Sequence, residues 1–166
     1  MAGMRYLVAF STFVLLTVCG CSTTPPADTA GAELALGPSP VYVLSAPTRI
    51  EGWNFVRPDG SMMTDAPIRQ LDKSLAKELA GVLLDGNSYR LPARGGGFER
   101  TVGFQVWRND RSIEFYFSFG NDQMLIKDMG YTGQPVMTTL GVTAAHDALM
   151  AIARKAFPDF KGGVPK

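Results

Sequence analysis

A chain of 166 residues is long enough for one domain of ordinary size. Its 46% hydrophobic and 19% charged residues supply the apolar content of a folded core without the charge excess of a disordered chain. Sixteen Lys/Arg against fifteen Asp/Glu exclude the clustered positive footprint that nucleic-acid binding needs, and give no general attraction to anionic lipid.

Arg5 precedes a run over residues 6–18, "YLVAFSTFVLLTV", which has the length of a signal-peptide apolar segment and is too short to span a bilayer. The run ends in Val18-Cys19-Gly20-Cys21, which holds both cysteines of the chain. This tetrapeptide resembles the lipobox of bacterial lipoprotein precursors. The resemblance implies that residues 1–20 are a signal peptide cut after Gly20. Cys21 then carries a thioether-linked diacylglycerol and, usually, an amide-linked acyl chain such as palmitate. Cys19 stands where Ala, Ser or Thr is commoner. Ser22 is similar to an outer-membrane sorting residue, implying a lipid-anchored envelope protein that faces the periplasm if the cell is Gram-negative. A disulfide between Cys19 and Cys21 would close a strained ring. After processing no free thiol would remain for catalysis, disulfide formation or metal binding.

Residues 21–40 follow as the lipidated N-terminus and its tether. The stretch 22–40, "STTPPADTAGAELALGPSP", is rich in Ala, Pro, Thr and Gly and reads as flexible coil, roughly 25 Å end to end. Residues 41–166 are then a single α+β domain. Val41-Tyr42-Val43-Leu44 has strand composition, and 49–57, "RIEGWNFVR", reads as a second strand. Pro58-Asp59-Gly60 is a turn signal. In 71–89, "LDKSLAKELAGVLLDGNSY", Asp72 is placed to cap a helix. Leu75, Leu79, Val82 and Leu83 make its apolar stripe, and Gly86 is placed for a left-handed stop. Gly81, inside this helix, costs roughly 1 kcal/mol relative to Ala and suggests close packing on a neighbour.

Residues 101–108, "TVGFQVWR", and 111–119, "RSIEFYFSF", alternate around Asn109-Asp110, a pair suited to a tight hairpin. That turn sets Arg108 opposite Arg111, Val106 opposite Ile113, Phe104 opposite Phe115 and Val102 opposite Phe117, so one face is continuously apolar. Gly120-Asn121-Asp122 turns into a third strand at 123–127. A second helix is expected over 143–157, capped by Thr143, striped by Ala145, Leu149, Ile152 and Ala156, and stopped by Pro158. The fold expected is an antiparallel β-meander packed on one face by two amphipathic helices, a two-layer sandwich.

The catalytic inventory is sparse. His146 is the single histidine, and the sequence has no nucleophile elbow or paired-histidine metal motif. His146 reads as a packing or surface residue. Asp85-Gly86-Asn87-Ser88 and Gly120-Asn121-Asp122 lack the ligand spacing of a calcium loop, so no metal or cofactor is expected. The exposed features are a possible binding face around Trp107 and Tyr116, with Trp53 nearby, and the arginines Arg94 and Arg100 near a Gly-rich loop. The aromatic face either meets an envelope protein or glycan, or is covered by 41–57.

With these segments placed, "LAGVLLDGNSY" at 79–89, Gly97-Phe98, the strands at 102–106 and 113–119 and Ala156-Phe157-Pro158 resemble a loose group of short, uncharacterised bacterial proteins. Members of that group often carry cysteines about where Gly96, Ser118 and Asn121 stand, so no thiol or metal role transfers here. The reading points to a non-enzymatic, lipid-anchored module for partner binding or envelope assembly. Its alternatives are an envelope hydrolase or glycan-processing enzyme using Glu114, Asp122 or Asp128, and a small-ligand carrier.

Overall fold

The computed structural model describes residues 29–90, 97–128 and 136–162. Its centre is the hairpin β3 (Val102–Arg108) and β4 (Arg111–Ser118). Asn109 makes the turn with φ 57°, a left-handed conformation that Asn tolerates better than most residues. The register is the one the alternation requires: Arg108 faces Arg111, Val106 faces Ile113, Phe104 faces Phe115 and Val102 faces Phe117. The strand β1 (Arg49–Asn54) pairs with β3, and the two-residue β2 (Arg69–Gln70) pairs with β1. On the other side β5 (Gln123–Asp128) pairs with β4, and β6 (Val136–Gly141) pairs with β5. All pairings are antiparallel, in the order β2-β1-β3-β4-β5-β6.

Four helices, rather than the two expected, accompany this sheet among the described residues. They are α1 (Thr29–Leu36), α2 (Pro38–Ser45), α3 (Lys73–Leu83) and α4 (His146–Ala156). Together with the sheet they form the expected α+β architecture, with an open sheet. One core runs under them, including Ile50, Phe104, Phe115, Phe117, Leu79, Leu83, Leu149 and Phe157. Phe157, just past α4, stacks on Phe104 at 6.2 Å, and Phe117 meets Phe104 edge-on at 6.0 Å. Gly52 of β1 makes room for this layer. A Cβ there would stand 2.8 Å from Leu71 and 3.0 Å from Phe157.

The expected coil over 22–40 and domain start at residue 41 are corrected from Thr29 onward. The helix α1 buries Ala32 and Leu36, and α2 buries Pro40, Val43 and Leu44. The composition of 41–44 suggested a strand, but Pro38 occupies the first turn, where a helix tolerates proline. Positions 40, 43 and 44 then fall on one helical face. Gly37, at φ 83°, makes the break between the two helices. Residues 21–28, like the signal segment, lie outside the described residues.

Local punctuation follows the sequence in part. The Asp72 side chain accepts from the Ser74 amide at 2.7 Å, capping α3. The Ser74 hydroxyl, and after it the Ser74 amide, hold the Asp72 carboxyl below its ordinary pKa. Gly86 is not a left-handed stop. A short 3₁₀ turn, Gly86–Ser88, continues instead, with the Asp85 side chain accepting from the Asn87 amide at 3.0 Å. Nothing lies within 4 Å of a Cβ built on Gly81, so close packing does not explain that glycine. Thr143 makes no capping bond: Thr143–Ala145 is a 3₁₀ turn leading into α4. The expected stripe of Ala145, Leu149, Ile152 and Ala156 is buried.

Candidate functional site

Strand alternation that buries one face of a sheet must present the other. Across five strands this second face is laid out in rungs. The first runs Trp53, Gly103, Tyr116, Leu125 and Thr139. The second runs Glu51, Gln105, Glu114, Lys127 and Met137. The third begins with Arg49, Trp107 and Ser112. Among the described residues no helix packs on this face. Met137 is 61% exposed, and Trp53, Gln105, Glu114, Leu125 and Lys127 are half-buried.

Glycine at position 103 shapes the first rung. A Cβ there would stand 2.9 Å from the Tyr116 ring and 3.1 Å from Trp53. The two aromatics therefore close over bare backbone, with ring centroids 6.0 Å apart. Phe55 approaches Tyr116 at 6.2 Å and the Arg100 guanidinium lies 4.8 Å from its ring centre. Tyr116 is left only 8% exposed. Its hydroxyl donates to Glu114 Oε2 at 2.8 Å, and Lys127 Nζ donates to the same oxygen at 3.0 Å. Burial, aided by the bond to Glu114 and its negative charge, raises the Tyr116 phenol above its usual range, against an opposing pull from Arg100. The phenol stays protonated and donating.

Of the residues singled out as a binding face, Tyr116 and Arg100 are brought together, while Trp107 stands apart. Four residues of strand, about 13 Å, separate the Tyr116 and Trp107 rungs. Trp107 carries the Arg49 guanidinium at 3.9 Å. The expected cover by 41–57 is partial: Trp53, Phe55 and Arg49 lie against Tyr116 and Trp107, and the second rung stays accessible. Gly20, Cys21 and Arg94 lie outside the described residues.

The three candidate carboxylates do not converge. Glu114 lies on the open face, held by Tyr116 and Lys127. Asp122 and Asp128 flank β5 at opposite ends, about 20 Å apart along the strand. Asp122, at φ 52°, meets His146 instead, with Oδ1 and Nδ1 2.6 Å apart. Sequence reasoning missed that pair, since 24 residues separate its members. His146 also packs edge-on against Phe119 at 5.7 Å, in keeping with a packing histidine. Among the described residues no group of three or more His, Cys, Asp or Glu could hold a metal ion. No described helix is long and apolar enough to cross a membrane.

No family model matches this chain, and no curated protein matches it. Among solved structures, a candidate lipoprotein from Clostridium perfringens is similar at 11% identity, with a TM-score of 0.48, over 81% of this chain and 98% of its own.

Proposed function

We propose that this chain is a lipid-anchored protein of the cell envelope that works by binding a partner rather than by turning over a substrate. The observation that carries the proposal is Val18-Cys19-Gly20-Cys21, placed seven residues ahead of a helix, Thr29–Leu36, that is itself docked on the domain. A diacylated Cys21 would hold the chain on a bilayer stably, since each buried methylene contributes about 0.8 kcal/mol. The interval from Cys21 to Thr29 reaches under about 30 Å even when fully extended. The domain would therefore work close to the headgroups. Ser22 supports an outer-membrane destination, with the domain in the periplasm.

The binding surface is the open sheet face. Its second rung offers two acids, an amide, a lysine and an exposed methionine beside the Trp53 and Tyr116 rings, a mixture suited to an envelope protein or a glycan. Mass spectrometry of the native product tests the anchor: Cys21 should carry the acyl mass, and Cys21→Ser should abolish it and change the protein's fractionation. Pull-down from detergent extracts tests the face. A specific partner should be recovered by the native protein and lost by a Trp53→Ala, Lys127→Glu pair. An unmodified Cys21 overturns the anchor; equal recovery by both forms, or no partner at all, overturns the binding face.

A further inference from the structure

A groove of about 570 Å³ runs between the C-terminal end of α2, with the segment leading from it into β1, and the outer edge of α3. Leu44 and Pro47 form one wall, and Ala80, Gly81 and Leu84 the other, with Lys73 and Lys77 along the α3 side. The volume falls in the range of small-ligand sites, about 300–1,000 Å³.

Gly81 is the anomalous residue. Glycine in a helix interior costs roughly 1 kcal/mol relative to alanine. Here neither a positive φ nor a crowded neighbour requires it, since a Cβ would meet nothing within 4 Å. What its missing side chain does is keep the groove wall low.

The polar groups at the groove narrow the ligand. Lys73 and Lys77 are one helical turn apart on the same side, and among the described residues neither forms an ion pair. No acidic residue lines the groove. Of the acids next to these lysines in the chain, Glu78 is paired with Lys155, and Asp72 is engaged with the Ser74 amide. The hydroxyls are also committed: Ser45 donates to the Tyr42 carbonyl and accepts from Arg108, and Thr48 donates to the Trp107 carbonyl. Two ammonium groups above an apolar trough remain. An extended peptide would need partners for its own backbone, which these side chains do not supply. A single acyl chain ending in one anionic group needs only what is present.

We infer that this groove binds a single-chain anionic amphiphile, with the acyl chain along Leu44, Pro47, Ala80 and Leu84 and the carboxylate or phosphate head between Lys73 and Lys77. The site does not depend on the anchor. It is tested on residues 21–166 produced without the signal segment and carrying Cys21→Ser, which keeps the protein's own acyl groups out of the groove. Calorimetric titration with decanoate, decyl phosphate and the neutral decyl maltoside, each below its micelle concentration, reads the head-group preference. One-to-one binding of at least one anionic probe, ten-fold or more tighter than the maltoside, is expected. The tighter of decanoate and decyl phosphate identifies a fatty acid or a phosphate-headed lipid as the class of occupant. Lys73→Gln with Lys77→Gln should weaken the anionic probe at least ten-fold, and Gly81→Leu should abolish binding by filling the trough. Equal affinity for the neutral probe, no binding of either anion, or unchanged affinity in the double lysine variant overturns the site. The lysine variant decides the matter should Gly81→Leu prove unfolded.

Discussion

Replacing Gly103 with alanine is the sharpest test of how the open face is built. The added methyl would lie 2.9–3.0 Å from two carbons of the Tyr116 ring and 3.1 Å from Trp53. Real Cβ contacts are not that short, so one of the rings must move. Overpacking of this kind costs about 1–3 kcal/mol. Alanine is otherwise favoured over glycine inside a strand by roughly 0.5–1 kcal/mol, which offsets part of the loss. A net destabilisation of about 0.5–2 kcal/mol follows. Gly103 is not at positive φ, so backbone strain does not enter. Urea unfolding followed by tryptophan fluorescence reads the change as a lower midpoint at constant slope. In a Tyr116→Ala background the penalty should shrink, because only the 3.1 Å approach to Trp53 remains and that ring then has room to move. A Gly103→Ala variant as stable as the parent, or an equal penalty with and without the Tyr116 ring, would refute the account of the first rung.

Other consequences can be measured in the same way. Phe104→Ala removes a ring that is 1% exposed and lies between Phe117 and Phe157; the unfolding free energy should fall by about 3–5 kcal/mol. Ala32→Asp places a carboxylate at a fully buried position of α1 and should lower the urea midpoint clearly; an unchanged midpoint would mean that α1 is not part of the cooperative unit. Alkaline pH should destabilise the fold through Tyr89, whose phenol is pushed well above its usual range by burial and by the nearby Asp85 charge. The unfolded phenol ionises near pH 10 while the folded one keeps its proton, so stability falls as pH rises past that point. Tyr89 contributes up to about 1.4 kcal/mol per pH unit to that slope, and Tyr89→Phe should remove this share while the raised Tyr116 phenol keeps its own.

The central meander was legible because two constraints agreed: the two-residue turn fixed a register, and that register put every apolar side chain on one face. Its neighbours carried weaker signals. Residues 136–139 of β6 are exposed on both faces, so "VMTT" has no alternation to read. The two residues of β2 are too few for a pattern. The helices α1 and α2 lie in a segment whose proline and alanine content resembles a linker, and only their docking decides the matter, through Ala32, Leu36, Val43 and Leu44. At the open face, alternation identified Tyr116 and Trp107 as sharing a side. It could not show that Trp53 and Arg100 converge on one and Arg49 on the other, because those contacts depend on how β1 and residues 97–101 are laid beside β3. Gly81 was conspicuous in the sequence for a reason the structure reverses: it faces open space.

The border formed by β6 has a further effect on how copies of this protein meet. Val136 and Met137 are 63% and 61% exposed, the strand has no charged residue, and among the described residues its outer side is met only by Arg90, at Gly141. Backbone donors and acceptors along such a rim can be taken up by the rim of another molecule. With Cys21 anchored as proposed, confinement to a bilayer surface would favour that encounter far more than dilute solution does. A lysine at Thr138 would guard against it while leaving the fold intact.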